Sequence, residues 1–135
     1  MIIREQRITI IRTSRPRQSN VNDELKWLGY SLGLFSERDK ESSLYRLFVE
    51  LIKSSKGSRP ITSDELARRL ELSRGTVVHH LNKLLESGIV VEERNHYALR
   101  VRNLEVLVDA IRKDLRRTMD DVKAIAKQID KELRL

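Results

Sequence analysis

The chain has 135 residues, of which 39% are hydrophobic and 4% aromatic, so it can form one modest domain with an extension and a core of leucine, isoleucine and valine. It contains no cysteine, which excludes disulfides and thiolate metal sites. No apolar run in the sequence is long enough to span a bilayer and the charged opening does not resemble a secretory signal, so we expect a cytoplasmic protein without membrane contact.

The formal net charge of +7 is unevenly spread along the chain. Residues 1–20 carry five arginines against one glutamate, residues 21–99 balance twelve basic against twelve acidic side chains, and residues 100–135 carry ten against seven. A basic chain attracts polyanions, but charge alone does not distinguish DNA, RNA and membrane surfaces.

The N-terminal twenty residues are predicted to form a basic arm. Residues 2–12 are rich in β-branched side chains with a rough period of two, which predicts a short strand without an evident partner. Residues 13–20 are polar and contain Pro16, which is typical of a linker. The arm is either a solvated tail or a contact to a nucleic-acid backbone or minor groove, and the first interpretation is the simpler one.

Two helices are predicted ahead of the centre of the chain. Asn22 is a good N-cap for a short helix over residues 23–34. Ser36 is expected to cap a second helix, which runs from about Glu37 to Lys53 and ends before a glycine and a proline. The apolar stripe of this second helix consists of Leu44, Leu47, Phe48, Leu51 and Ile52.

The centre of the chain has the pattern of a helix-turn-helix. Thr62 or Ser63 can cap a helix, a short turn follows, and Ser73 can cap the next helix, which Gly88 ends. The second of these helices, residues 74–87, is the predicted recognition helix.

A β-hairpin is predicted directly after the recognition helix. Ile89–Glu92 and Tyr97–Val101 are strand-like runs that flank the turn residues Glu93–His96. Such a hairpin is the wing of a winged helix, so residues 21–102 are predicted to form a winged helix-turn-helix domain.

The last part of the chain, residues 103–135, is predicted to be one long amphipathic helix, because Leu104–Leu135 contains neither glycine nor proline. It would be about 48 Å long, whereas a domain of this size is only about 25 Å across. The helix therefore needs a partner, for which a second copy of the chain is the simplest choice; the alternatives are a helix folded over its own domain or broken in two. The predicted dimerisation positions repeat as a heptad: Val108, Ile111, Leu115, Val122, Ile125 and Ile129.

The recognition helix must bury one face and can offer the other to base edges in the major groove. Val77, Leu81 and Leu84 are taken as the inner face. The residues predicted to contact DNA are Ser73, Arg74, Gly75, Thr76, Val78, His79, Asn82 and Lys83 on and before this helix, Arg68 and Arg69 on the preceding helix, and Arg94 and Asn95 at the wing tip. The alternative for each single residue is an ordinary solvated side chain.

The stretch SRGTVVHHLNKLLESGIV resembles the recognition helix and strand of the ArsR-like and MarR-like winged helix-turn-helix regulators. The matching positions are Ser73, Thr76, Val77, His80, Leu81, Leu84, Gly88, Ile89 and Val90. The resemblance covers residues 39–101 or so, and the overall layout is similar to small archaeal transcriptional regulators. It implies a homodimer that binds palindromic DNA operators. Val78 departs from the pattern, because a polar residue is common there, and the metal-sensing clusters of the ArsR-like family are absent.

Neither catalysis nor a metal or cofactor site finds support in the sequence. No phosphate-binding glycine-rich loop, zinc-protease motif or nucleophile elbow is present. His79 and His80 point about 100° apart on a helix, so they cannot easily hold one ion together. We therefore expect a protein that is not an enzyme and that has no resident cofactor.

The predicted fold is mainly α with a small β-hairpin wing, that is, a winged helix-turn-helix plus a long C-terminal dimerisation helix. The predicted function is that of a sequence-specific DNA-binding transcriptional regulator that acts as a homodimer on double-stranded DNA. The alternative is a winged-helix module that binds proteins or RNA without operator-specific DNA binding. No set of residues in the sequence marks a pocket for an effector ligand.

Overall fold

The structure, a computed structural model, describes residues 5–17, 20–35 and 42–135. In this part of the chain the elements are α1 (Val21–Ser31), α2 (Ser43–Lys56), β1 (Ile61–Thr62), α3 (Ser63–Leu70), α4 (Arg74–Glu86), β2 (Val90–Glu93), β3 (His96–Leu99) and α5 (Leu104–Leu133). The prediction of a mainly helical fold with a small wing and a long C-terminal helix is confirmed.

Most helix starts follow from a capping side chain whose oxygen accepts a backbone N–H three residues later. The capping residues are Asn20 for α1, Thr62 for α3, Ser73 for α4 and Asn103 for α5. The predicted cap of the first helix, Asn22, was therefore wrong by two residues. The predicted start of the second helix at Ser36 and Glu37 lies outside the described residues, and the described helix α2 ends at Lys56, just before Gly57.

The wing is a three-stranded antiparallel sheet in the order β1-β3-β2. The predicted hairpin is present, and its turn consists of Arg94 and Asn95, which both have positive φ angles of 52° and 62°. Two such residues in a row form the type I′ turn that matches the twist of a hairpin. Strand β1, which was not predicted from the sequence, adds Ile61 to the sheet opposite Tyr97.

The core lies between α2, α3, α4, the wing and the start of α5. Its fully buried side chains are Leu47, Phe48, Leu51, Leu66, Val77, Leu81, Leu84 and Leu107. At its edge the Nε2 atom of His80 lies 2.6 Å from the Oγ atom of Ser43, so this histidine ties α4 to the first turn of α2. His80 is half-buried at this edge.

Residues 5–14, called the N-terminal segment below, run in extended form over the surface of the domain. The short strand expected in residues 2–12 is not formed over its described part, residues 5–12. Instead the backbone N–H of Arg7 donates to the carbonyl of Glu86 at 2.9 Å, and that of Ile11 donates to the carbonyl of Ser31 at 2.8 Å. The segment therefore bridges the ends of α4 and α1.

The helix α5 has 30 residues and is unbroken, so it is about 45 Å long. Its first turns pack on the domain, where Leu107 and Ile111 are buried. Ile111 was predicted to face a second chain, but it is only 4% exposed within its own domain. Val108 and Leu115 are half-buried.

The distal half of α5, residues 116–133, is exposed along its whole length. It carries large apolar side chains, with Val122 54%, Ile125 63% and Ile129 46% exposed. Among the helices that the structure describes, none is both long and apolar enough to cross a membrane.

Asp114 joins α5 to the wing and to the N-terminal segment. Its carboxylate accepts hydrogen bonds from Arg100 Nη1 at 2.5 Å and from Gln6 Nε2 at 3.0 Å. Gln6 Nε2 also donates to the carbonyl of Ser87, directly after α4, at 3.2 Å. The bonds from Arg100, assisted by Gln6, hold the pKa of Asp114 below its usual range, although burial opposes them.

The replacement Asp114→Asn tests this junction. Because the pKa of Asp114 is lowered in the folded state, the carboxylate contributes stability above its ordinary pKa of about 4, and this stability is lost as the pH falls through the lowered value. We expect Asp114→Asn to reduce the free energy of unfolding by about 2 kcal/mol at neutral pH and by much less at about pH 2. Urea unfolding at both pH values measures the difference.

A matched control is Asp109→Asn on the same helix. Asp109 pairs with Arg112 at 3.8 Å and is 53% exposed, so its replacement should change stability by less than about 0.5 kcal/mol. An equal loss for Asp114→Asn at both pH values would show that the carboxylate charge does not stabilise the junction.

Candidate nucleic-acid interface

A tight turn sets α4 against α3. Glu71 ends α3 with a left-handed φ of 54°, and the N–H of Leu72 donates back to the carbonyl of Ala67 at 3.0 Å. Ser73 then caps α4, because its Oγ atom accepts the N–H of Thr76 at 3.1 Å. Two residues thus separate the C-cap of one helix from the first residue of the next, which is the compact connection of a helix-turn-helix.

The helix α4 has one buried and one exposed face. Val77, Leu81 and Leu84 are fully buried against the core. The exposed positions on the helix include Arg74, Gly75, Val78, His79, Asn82 and Lys83. The structure thus brings these predicted recognition residues together on the solvent side of one helix. Thr76 is half-buried at the edge of this face.

The first turn of α4 is the most open part of this face. A Cβ atom added to Gly75 would meet no described atom within 4 Å beyond its neighbours. Ser73 Oγ donates to Thr76 Oγ1 at 2.7 Å, so Thr76 can still donate its own hydroxyl hydrogen. A helix N-terminus that presents small groups and hydroxyl donors can approach a phosphate or a base edge closely.

The side chain of Arg74 extends from this open turn towards α3, where its Nε atom donates to Asp64 Oδ1 at 2.7 Å. The side chains of Arg74 and Asp64 are 72% and 58% exposed. An ion pair in such an exposed position contributes at most about 1 kcal/mol, so a phosphate or a guanine can compete for the guanidinium. Asp64 was not predicted as a partner of Arg74, although its place in the first turn of α3 can be read from the sequence.

The two arginines predicted on α3 have different surroundings. Arg69 donates to Glu65 at 2.6 Å and to Glu50 of α2 at 3.2 Å, so it links the two helices. Arg68 reaches Glu65 only at 4.0 Å and is 79% exposed. Of the two, Arg68 is the better placed for a phosphate, because Arg69 would have to leave two carboxylates.

The wing tip is held close to the start of α3. Ser63 Oγ donates to Asn95 Oδ1 at 3.3 Å, and His96 Nδ1 lies 2.9 Å from the carbonyl of Arg94. Arg94 and Asn95 are both exposed at the turn. The wing tip therefore exposes Arg94 beside Asn95, whose side-chain oxygen already accepts a hydrogen bond from Ser63.

The N-terminal segment adds residues to this surface, although the sequence favoured a solvated tail for the arm over a nucleic-acid contact. Arg7 and Thr9 line a cleft together with His79, Asn82 and Lys83 of α4. The only local hint in the sequence was the isoleucine between them, Ile8, which is partly buried against the core.

Fold and surface together define the class of domain. Residues 43–93, from the start of α2 to the end of β2, match the family described as helix-turn-helix domain. This part of the chain is therefore a helix-turn-helix domain, to which the sheet adds a wing. No curated protein matches the chain.

Proposed function

We propose that this chain is a sequence-specific, DNA-binding transcriptional regulator of the ArsR-like or MarR-like winged type, which acts as a homodimer and is not an enzyme. The observation that carries the proposal is the open first turn of α4 around Gly75. This turn lies on the exposed face of α4, whose opposite face is fully buried in the core.

The major groove of B-DNA is about 12 Å wide and admits one α-helix. With α4 in the groove, Gly75 lets the helix backbone approach the bases, while Arg74 and Thr76 stand at the end of the helix where base and phosphate contacts concentrate. Val78 is 38% exposed on the same face and offers an apolar contact of the kind that a thymine methyl group accepts.

Charge supports a polyanionic partner. Between Lys53 and Lys83 the sequence holds seven basic against three acidic residues. Arg68 of α3, Arg94 of the wing and Arg7 of the N-terminal segment are exposed on elements next to α4 and would reach the flanking phosphates. Such contacts release counterions, so binding should weaken steeply as salt is added.

The distal half of α5 supports the homodimer. Most of the stability of a protein helix comes from packing of its apolar face, and this half of α5 exposes apolar side chains at heptad spacing. A second copy offers an identical stripe, and two-fold pairing would place two α4 helices on two half-sites of a palindrome. The proposed contacts are Val122, Ile125 and Ile129, with Leu115 at the proximal end.

Selection of bound duplexes from a random DNA pool tests the function. We expect a palindrome whose half-sites are about 10 base pairs apart, or a multiple of that, with affinity that falls at least about 100-fold between 50 and 200 mM salt. Competition with double-stranded RNA and with unrelated DNA completes the test. Enrichment of no sequence, or equal competition by RNA, would favour the alternative of a protein- or RNA-binding winged helix.

A further inference from the structure

A cleft of about 530 Å³ lies between the N-terminal segment, the residues that follow α1 and the C-terminal half of α4. Its volume falls within the usual range of small-molecule sites. Its lining includes His79, Asn82 and Lys83 of α4 and Arg7 and Thr9 of the N-terminal segment.

Leu32, Gly33 and Leu34 also line the cleft; Leu34 is only 1% exposed, so the half-buried Leu32 supplies the accessible leucine surface. Gly33 has a φ of 71°, and a Cβ atom built on it would lie 2.6 Å from Thr9 Cβ. Only glycine fits this turn with the segment so close, and Thr9 therefore lies directly against Gly33.

Backbone hydrogen bonds on both sides of Thr9 fix the wall that the N-terminal segment contributes. Arg7 is bonded to Glu86 and Ile11 to Ser31, at 2.9 and 2.8 Å. Because the segment is pinned to α4 at one end and to α1 at the other, the cleft is formed before any ligand binds, which lowers the ordering cost of binding.

The chemistry of the lining selects one kind of ligand. The described lining holds the cationic side chains of Arg7 and Lys83, the donors Asn82 and Thr9, and the apolar side chain of Leu32. Cations and amide donors bind a carboxylate, while leucine side chains bind an aliphatic body. We propose that this cleft is a binding site for a small organic anion with an aliphatic body.

Two acidic groups stand near the cations and are compatible with this assignment. Glu86 lines the cleft beside Lys83, and Glu5 pairs with Arg7 at 3.4 Å. The Glu5–Arg7 pair is 76% and 70% exposed, so it contributes little and can yield to a bound carboxylate. The ligand carboxylate is expected against the side-chain donors of Arg7 and Asn82.

Because of the position of the cleft, a bound ligand would affect DNA binding. This inference rests on the proposed function. His79, Asn82 and Lys83 belong both to the cleft wall and to the face of α4 that we propose for DNA. An anion in the cleft would neutralise the cations and occupy the donors that face the DNA. Ligand and DNA therefore exclude one another, and by linkage each lowers the affinity of the other by the same factor.

Binding is tested without DNA by titrating the ¹⁵N-labelled full chain with hexanoate and, as a neutral match, hexanamide. We expect saturable amide shifts centred on Thr9, Gly33 and Lys83 with hexanoate, and at least about 10-fold weaker binding of hexanamide. Arg7→Gln should weaken hexanoate binding about 10-fold, whereas Arg12→Gln, which removes an exposed arginine of the same segment outside the cleft, should not. Equal binding of acid and amide, shifts elsewhere, or none at about 50 mM would overturn the site.

Competition on a selected DNA duplex tests the regulatory consequence. Saturating hexanoate, compared with equal sodium chloride, should lower DNA affinity by at least about 10-fold, and this effect should be much reduced in Arg7→Gln. Anion binding with unchanged DNA affinity would overturn the mutual exclusion. A chain that binds hexanoate in the cleft but no DNA would leave the site established and refute the proposed function, so the two failures are distinguishable.

Discussion

Replacing Gly75 by glutamate is expected to abolish specific DNA binding without weakening the fold. A Cβ atom at this position meets no described atom within 4 Å, so the new side chain extends into solvent. Glycine within a helix costs about 0.5–1 kcal/mol relative to alanine, and an acidic group in the first turn interacts favourably with the helix dipole. The free energy of unfolding should therefore stay equal or rise.

The same side chain would stand where the proposed complex needs the closest approach to DNA. A carboxylate there meets phosphates and base-edge acceptors of like sign, and its bulk pushes α4 out of the groove. We expect DNA affinity to fall at least about 100-fold, because several contacts along α4 are lost together.

Urea unfolding and fluorescence anisotropy with the selected duplex measure the two effects separately. Gly75→Gln adds nearly the same bulk without charge and should bind DNA with intermediate affinity. Leu135→Glu adds the same charge at an exposed position two residues beyond the end of α5 and should leave both quantities unchanged. If Gly75→Glu retained full affinity for the duplex, α4 would not be the recognition helix.

The parts of the fold that sequence predicted best depend on neighbouring residues. Ser73 caps α4 because the acceptor and its donor are three residues apart, and Gly88 ends the helix because its φ of 79° suits glycine. Both devices act within one turn and can be read from the sequence. By contrast, Asn20 and Asn22 both suit the start of α1, and only the folded chain shows that Asn20 is the cap.

The parts that the sequence did not predict depend on residues far apart in the chain. The N-terminal segment is held by Glu86 and, through Gln6, by Asp114, contacts that span about eighty and one hundred residues. The strand β1 is two residues long, so it has no alternation of its own and exists only because β3 is beside it. The cleft could not be predicted either, since its walls come from three separate stretches.

The long helix shows a further limit of periodicity. Its heptad continues from Val108 to Ile129, yet Ile111 is buried within its own domain while Ile125 is exposed. An apolar stripe in the sequence indicates that one face of the helix is covered. It does not indicate whether the covering residues belong to the same chain or to a second one. In the structure the proximal part of the stripe is buried or half-buried and the distal half is exposed, so the distal half is the part that the proposed dimer would cover.

The distal half of α5 gives the second strong test, for which Ile125→Asp and Ala124→Asp form a matched pair. Both positions are exposed in the single chain, and both variants add one carboxylate, but only Ile125 lies on the heptad stripe. In a symmetric dimer Ile125→Asp would bury two unpaired charges facing each other, at a cost of several kcal/mol. We expect it to be monomeric at micromolar concentration, whereas Ala124→Asp should remain dimeric in sedimentation equilibrium.

Loss of the dimer should also weaken DNA binding, although Ile125 lies far from α4. A dimer binds its second half-site at a high effective concentration, so the monomeric variant should lose at least about 100-fold in affinity for the full palindrome and little for a single half-site. Domain stability should be retained, because the buried core, including Leu107 and Ile111, ends before the distal half. A wild-type chain that sediments as a monomer would refute the homodimer, and a monomeric Ile125→Asp variant with full affinity for the palindrome would show that recognition does not depend on it.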